Sequence, residues 1–292
     1  MNKLALALSA LVLATAAAGG AQARIVPDEK DIPRQLSFGG ACRNCDLSGK
    51  KLVNARFHAA DFGGAALVRT DLRGAVFVNS NFQGAHLANS DLRGAELRGS
   101  NFSFADFTGA ELDGIEGATA VFHKANFTRA SLKGAELPGV NLSLATLAGA
   151  SFRGAELPHA ILTKVIANNV DFREAELAGA NLVGGRFDGA SFRGADLSGA
   201  VLTKASFAGA DFRHADLDGA YLGAADLSRA RGLTQEQLED ACGDHTTRLP
   251  HGLMVKTCKS RRMIVVQTPQ SARPPRPPRP ATPPRPPRPP RH

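Results

Sequence analysis

Four cysteines are the residues whose spacing speaks first of chemistry. Cys42 and Cys45 form a C-x-x-C pair near one end of the repeating part of the chain, and Cys242 and Cys258 lie beyond the other end. Such residues serve zinc binding, thiol–disulfide exchange or plain disulfides. No thioredoxin-like strand–helix–strand pattern surrounds Cys42 and Cys45. The histidines are scattered, with His58, His86, His123, His159 and His214 in the long middle part. Carboxylates recur at a fixed spacing, so a pair of them carries no acid–base signal of its own. There is no Gly-rich phosphate loop, nucleophile elbow or metal-ligand spacing. The pattern points to no cofactor, no metal and no enzyme.

The element that positions everything else is a five-residue beat. From Leu47 to Leu227, every residue whose number ends in 2 or 7 is Leu or Phe except Gly117 and Ala167, which makes 35 of 37 positions. A helix repeats its apolar face every three to four residues and a flat strand every two. A strict five requires a chain that turns a corner at each repeat and sends one large side chain inward. The residue two before each Leu/Phe is usually Ala, and the residue just before it is usually Asp, Asn, Glu, Ser or Thr. Gly often follows two after, where a corner needs unusual backbone angles.

The run Ala190-Ser-Phe-Arg-Gly-Ala-Asp-Leu-Ser-Gly-Ala200 displays this pattern. It resembles the pentapeptide-repeat family, whose consensus is A-(D/N)-L-x-x. The resemblance implies an all-β fold, a right-handed quadrilateral parallel β-helix with four pentapeptides per coil. Inside this sequence, Phe at inward positions pairs with Phe nine times at an offset of 20 residues, six times at 5 and never at 10. A 20-residue coil stacks those rings at roughly 4.8 Å per coil, the ordinary strand spacing, and the repeats make about nine coils.

The chain ends read differently. Lys3, the apolar stretch Leu4 to Ala18 and Ala21-Gln22-Ala23 read as a signal peptide over 1–23, with Arg24 starting the mature protein. An uncleaved anchor is the alternative. Export implies a periplasmic or secreted protein with no transmembrane segment after cleavage, in an oxidising place. Two local disulfides are expected, Cys42 with Cys45 and Cys242 with Cys258, because about nine coils separate the two pairs. Residues 24–45 are read as an N-terminal cap, 46–230 as the β-helix and 231–262 as a C-terminal cap. Within that cap, Thr234 is an expected helix N-cap with Gln237 three residues on, Leu233 can staple onto Leu238, and Cys242-Gly243 is the expected stop. The segment Ala230–Asp244 also resembles the terminal segment of bacterial members of the family. Its physical task is to cover a sheet edge; dimerisation is the functional alternative.

Residues 46–230 carry 18 basic and 20 acidic groups, whereas beyond Asp244 there are eleven Lys/Arg and no acid. In the tail, 263–292, the arginines Arg273, Arg276, Arg279, Arg285, Arg288 and Arg291 share a period of three. In polyproline II they lie along one edge about 9 Å apart. Two readings stand: a solvated spacer, or electrostatic attachment to an anionic polymer or membrane surface. The export signal argues against nucleic acid as the natural partner.

Sorting the repeats by side gives two further patterns. Arg73, Arg93, Lys133, Arg153, Arg173, Arg193 and Arg213 form a column, and Glu96, Glu116, Glu136, Glu156, Glu176, Asp196 and Asp216 form one on the next side. Each base but Arg73 stands three residues before an acid across a corner, which predicts an ion-pair ribbon rather than a binding site. A 40-residue echo between 151–165 and 191–205 places Phe104, Val121, Leu144, Ile161, Val183, Val201 and Tyr221 on one side with Lys124, Lys164 and Lys204. Duplication alone accounts for the echo; a contact surface for a protein partner is the functional alternative. The expected function is a non-enzymatic exported structural or interaction rod with a cationic tail. The alternatives are a DNA-mimicking topoisomerase-binding member of the family, which implies a strongly acidic surface, and an exported thiol protein using Cys42 and Cys45.

Overall fold

The computed structural model describes residues 40–258. The expected signal peptide, most of the N-terminal cap and the Arg/Pro tail lie outside the described residues. Each pentapeptide makes one side of a coil. Its central Leu/Phe points inward, and a β-turn follows, as where the Ala65 N–H donates to the Phe62 carbonyl at 2.9 Å. The third turn residue has positive φ, supplied by Gly at Gly64 and Gly74 and by Asn at Asn54 and Asn79. Parallel bridges join each side to the equivalent residue 20 positions later, from Ala41↔Asp61 up to Asp211↔Arg231. The 20-residue coil expected from the Phe offsets is the one observed.

The four sides are named here in chain order within a coil. The first carries Asp61, Asn81, Asn101 and their successors, the second Ala66 and His86, the third Asp71 and Asp91, the fourth Val76 and Glu96. Two coils stretch into longer pairing on the fourth side, where β1 (Arg56–His58) runs parallel to β2 (Val76–Val78).

The core is one continuous column from Cys42 to Ala241. All nine Phe pairs expected at offset 20 are stacked, with centroids from 4.7 Å for Phe82–Phe102 to 5.4 Å for Phe172–Phe192. Rings on neighbouring sides meet edge-on, as Phe77 and Phe82 do at 4.8 Å and 84°. Both stacked and edge-on contacts suit the aromatic quadrupole. The two exceptions to the beat are compensated in volume. Where Gly117 lacks a side chain, Leu137 fills the space and Ile115 replaces the usual Ala. Ala167 is flanked by buried Val165 and Val170 in place of Ala. The buried hydroxyls that replace corner alanines all find acceptors: Thr70 donates to the Leu47 carbonyl, Ser90 to Leu87 and Ser100 to Phe77.

The C-terminal cap differs from expectation. In place of a helix there is a single 3-10 turn, η1 (Glu236–Leu238). The reciprocal bonds of a capping box do form, Thr234 N–H to Gln237 Oε1 at 2.9 Å and Gln237 N–H to Thr234 Oγ1 at 3.4 Å. The Gln237 amide, however, donates to the Phe212 and Ala215 carbonyls, and Leu238 is buried on the last coil. The chain is thereby pulled back into the coil register. Cys242-Gly243, expected as a helix stop, is instead β3 (Cys242–Gly243), paired in parallel with β4 (Lys256–Thr257) and bridged to Tyr221. Disulfides join Cys42 to Cys45 and Cys242 to Cys258, as expected.

Candidate functional site

With the interior filled by Leu, Phe and Ala, chemistry is left to the outer sides. On each side the residues before and after the inward Leu/Phe both point out, as alternate strand residues do. They are therefore neighbours, and this decides the electrostatics.

On the third side, Arg73 donates from Nε and Nη2 to both carboxylate oxygens of Asp71, at 2.8 and 2.7 Å. Arg93 does the same to Asp91, Arg173 to Asp171 and Arg213 to Asp211. These Arg73, Arg93 and Arg213 bonds hold the Asp71, Asp91 and Asp211 carboxyls below the usual carboxylate range. At Asp171 burial pushes upward, and the Arg173 bonds outweigh it. The expected ion-pair ribbon across the corner is thus corrected. Arginine pairs with the acid two residues earlier on its own side, because the corner turns the residue three positions on to another face. Arg73 and Arg93 also reach the next coil, at 3.6 Å from Asp91 and 3.2 Å from Glu111. Arg153 has Ser151 in place of an acid two residues earlier and pairs with Glu174.

The fourth side consequently keeps its acids. Glu96, Glu116, Glu136, Glu156, Glu176, Asp196 and Asp216 are joined rung to rung. Arg98 contacts Glu96 at 2.7 Å and Glu116 at 3.9 Å. The near-neutral total charge of the rod conceals this acidic column.

The first side is the opposite case. From Asn81 to Ala224 it holds no Asp or Glu. Phe104, Leu144 and Tyr221 are exposed there, and Val121, Ile161, Val183 and Val201 are half-buried. Lys124 Nζ lies 5.3 Å from the Phe104 ring centroid. Phe104, Lys124, Leu144, Lys164 and Lys204 all occupy the positive-φ corner position, with φ between 55° and 62°. His123 packs edge-on to Phe104 and bonds Ser143 at 2.8 Å; burial and then Lys124 push its pKa down. The contact residues singled out by the 40-residue echo are therefore brought together on one side.

Cys42 and Cys45 are buried as well as joined, so they do not present the exposed thiol that a redox role requires. The arginines from Arg273 to Arg291 lie outside the described residues. Among the described residues no helix is long and apolar enough to cross a membrane, and no group of His, Cys, Asp and Glu could hold a metal ion. The sequence reading missed a groove of about 320 Å³ on the third side, lined by Arg173, Arg193 and Arg213 with Ser191. Its available signal was Ser191, which stands where the neighbouring coils have Asp171 and Asp211.

A four-sided parallel solenoid with an A-(D/N)-L-x-x repeat defines a class of its own. The pentapeptide-repeat family model matches residues 41–74, 75–114, 125–163, 162–194 and 195–231. The chain belongs to the pentapeptide-repeat family, whose members form right-handed quadrilateral β-helices and generally act as structural or interaction proteins rather than enzymes. Among solved structures it is similar to HetL, a pentapeptide repeat protein involved in heterocyst differentiation regulation from the cyanobacterium Nostoc sp. strain PCC 7120. That match has 28% identity over 66% of this chain and 85% of that one, with a TM-score of 0.41. It is also similar to QnrB1, a plasmid-mediated fluoroquinolone resistance protein, at 22% identity over 64% and 91%, TM-score 0.40. A pentapeptide repeat protein of the Arabidopsis thaliana thylakoid lumen matches at 26% over 40% and 71%, TM-score 0.27. No match was found among the curated proteins.

Proposed function

We propose that this chain is an exported, non-enzymatic interaction rod, held at an anionic envelope surface by its arginine tail and meeting a protein partner through its first side. The observation that carries the reading is the segregation of surface chemistry. The first side is apolar and acid-free from Asn81 to Ala224, while the fourth carries the acid column. Bulky Phe104 and Leu144 sit at corners that Gly or Asn fills without strain, which also supports selection for contact. The experiment fractionates cells making the full chain, or the chain without 269–292, across a salt series. The tail deletion should release the rod from envelope fractions with its fold intact, and salt should do the same to the full chain. Unchanged co-fractionation at every salt concentration would make the tail a spacer.

The acid column favours one second reading, the DNA mimic. Its test is a topoisomerase relaxation assay with the rod added. Inhibition abolished by combined Glu136→Gln, Glu156→Gln and Glu176→Gln substitutions would favour it over the envelope reading.

A further inference from the structure

We propose that the third-side groove centred on Arg193 is a binding site for a phosphate group. The case begins with a missing carboxylate. Asp171, Ser191 and Asp211 occupy successive rungs, joined by parallel bridges. Asp171 and Asp211 each hold the arginine two residues later in a two-pronged bond. Ser191 cannot do so, and neither its hydroxyl nor the Arg193 guanidinium has a partner among the described residues. All five N–H donors of Arg193 are therefore available. On the rungs below and above, about 4.8 Å away in the backbone, Arg173 and Arg213 spend Nε and Nη2 on aspartate and keep Nη1 free. The three guanidinium groups and Ser191 line one groove of about 320 Å³, together with Asp171 and Asp211, whose carboxylates are bonded to Arg173 and Arg213.

The chemistry that fits is a compact oxyanion with several acceptors. Guanidinium matches phosphate in a two-pronged geometry, and a serine hydroxyl donates to a further oxygen. A carboxylate is already supplied on both neighbouring rungs by Asp171 and Asp211, so the ligand takes the place that Asp occupies there. Arg173 and Arg213 are half exposed, with side-chain exposures of 44% and 58%. Water competes at such a site, which places a single phosphate in the millimolar range. Tighter binding would come from a ligand that presents phosphates repeatedly. The groove is argued from the rod alone and does not rest on export or on the tail.

The test uses the full chain and an arginine-specific dicarbonyl reagent, with modification at each arginine read by peptide mass spectrometry. Inorganic phosphate is added at constant ionic strength, made up with chloride. Phosphate should slow modification of Arg193 by at least about threefold while leaving Arg129, an exposed arginine of the second side, unchanged. Ser191→Asp, which restores the carboxylate found on the adjacent rungs, should abolish that protection without lowering the melting temperature. A parallel arm replaces phosphate with phosphatidylglycerol vesicles. Protection of Arg193 by phosphate assigns the site to a small phosphate, and protection by vesicles alone assigns it to a lipid headgroup. Protection by neither, equal protection of Arg129, or undiminished protection in Ser191→Asp would overturn the proposal.

Discussion

Residues 71–113 and 131–213 climb the third side on the same parallel bridges, with Leu72, Leu92 and Leu112 inward in the first and Leu132 followed by Phe152, Phe172, Phe192 and Phe212 in the second, yet what sets them apart at the surface is charge. The first stretch runs Asp71, Arg73, Asp91, Arg93, Glu111 and Asp113, and its two arginines are bonded within their own rung and reach acids on the next. The second sets Ser131, Ser151 and Ser191 where the first has acids, and keeps Lys133, Arg153, Arg173, Arg193 and Arg213. The difference teaches that outer chemistry varies freely on this backbone. The residue before each inward side chain is bonded through its main chain, as where Ser191 N–H donates to Val170 and Asp171 N–H to Ala150. Where its side chain is Asp or Asn it also accepts the backbone N–H two residues on, as Asp171 does from Arg173, but that bond is not required for the coil and the outward residue type is free to vary.

The shared backbone is the part of this comparison that breaks hardest. Phe172 is fully buried between Phe152 and Phe192. Phe172→Asp should cost about 4 kcal/mol or more by burying an unpaired charge, and circular dichroism should report an unfolded chain. A folded variant of equal heat stability would refute the inward assignment. Phe172→Leu, the residue used at most inward positions, should cost no more than about 1.5 kcal/mol.

The ends extend the comparison from sides to caps. Cys242–Cys258 spans 16 residues and Cys42–Cys45 only three. Cys258→Ser should lose about 3 kcal/mol on the chain-entropy account, and Cys45→Ser distinctly less. Melting curves recorded under non-reducing conditions would reverse that order if the C-terminal strands are not needed to close the last coil.

Acid separates the two halves more gently. Asp71 and Asp91 have their folded pKa values lowered by Arg73 and Arg93. Their contribution is complete above the ordinary carboxylate value and is lost as pH falls below about 4. Combined Arg73→Gln and Arg93→Gln should flatten that descent slightly, since the pairs are exposed. Arg193→Gln should leave the acid profile unchanged. An equal effect of Arg193→Gln would show that it too is paired.

The smallest effect belongs to the corners. Phe104 adopts a φ of 62°, which costs a non-glycine residue roughly 1 kcal/mol. Phe104→Gly removes the exposed ring together with that strain. The melting temperature should stay level or rise slightly, and a clear drop would show that the ring supports the fold after all.

How legible these features were follows from where each residue's partners lie. The Phe stacks could be read because a 20-residue offset in sequence is one coil in space. A spacing of three residues sets Arg93 beside Glu96 in sequence. Side-chain direction decided otherwise, since residues two apart on one side point the same way and a corner redirects the third. Thr234 and Gln237 formed their expected bonds, but Gln237 found the Phe212 and Ala215 carbonyls and the turn ended there. A local signal for a helix start carries no information about an open coil edge waiting above it. Ser191 looked like an ordinary repeat substitution until its neighbours on adjacent rungs were known.

The claim that side-chain pairing, not the backbone, divides the third side has a direct measurement. In chloride alone, without phosphate, the rates of dicarbonyl modification of Arg93 and Arg193 are compared within one full-length molecule. Both lie on the same column, and Arg93 is locked to Asp91 while Arg193 faces Ser191. The account predicts that Arg193 reacts several-fold faster, and that Ser191→Asp brings it down to the rate of Arg93. Equal rates in the unsubstituted chain would contradict it.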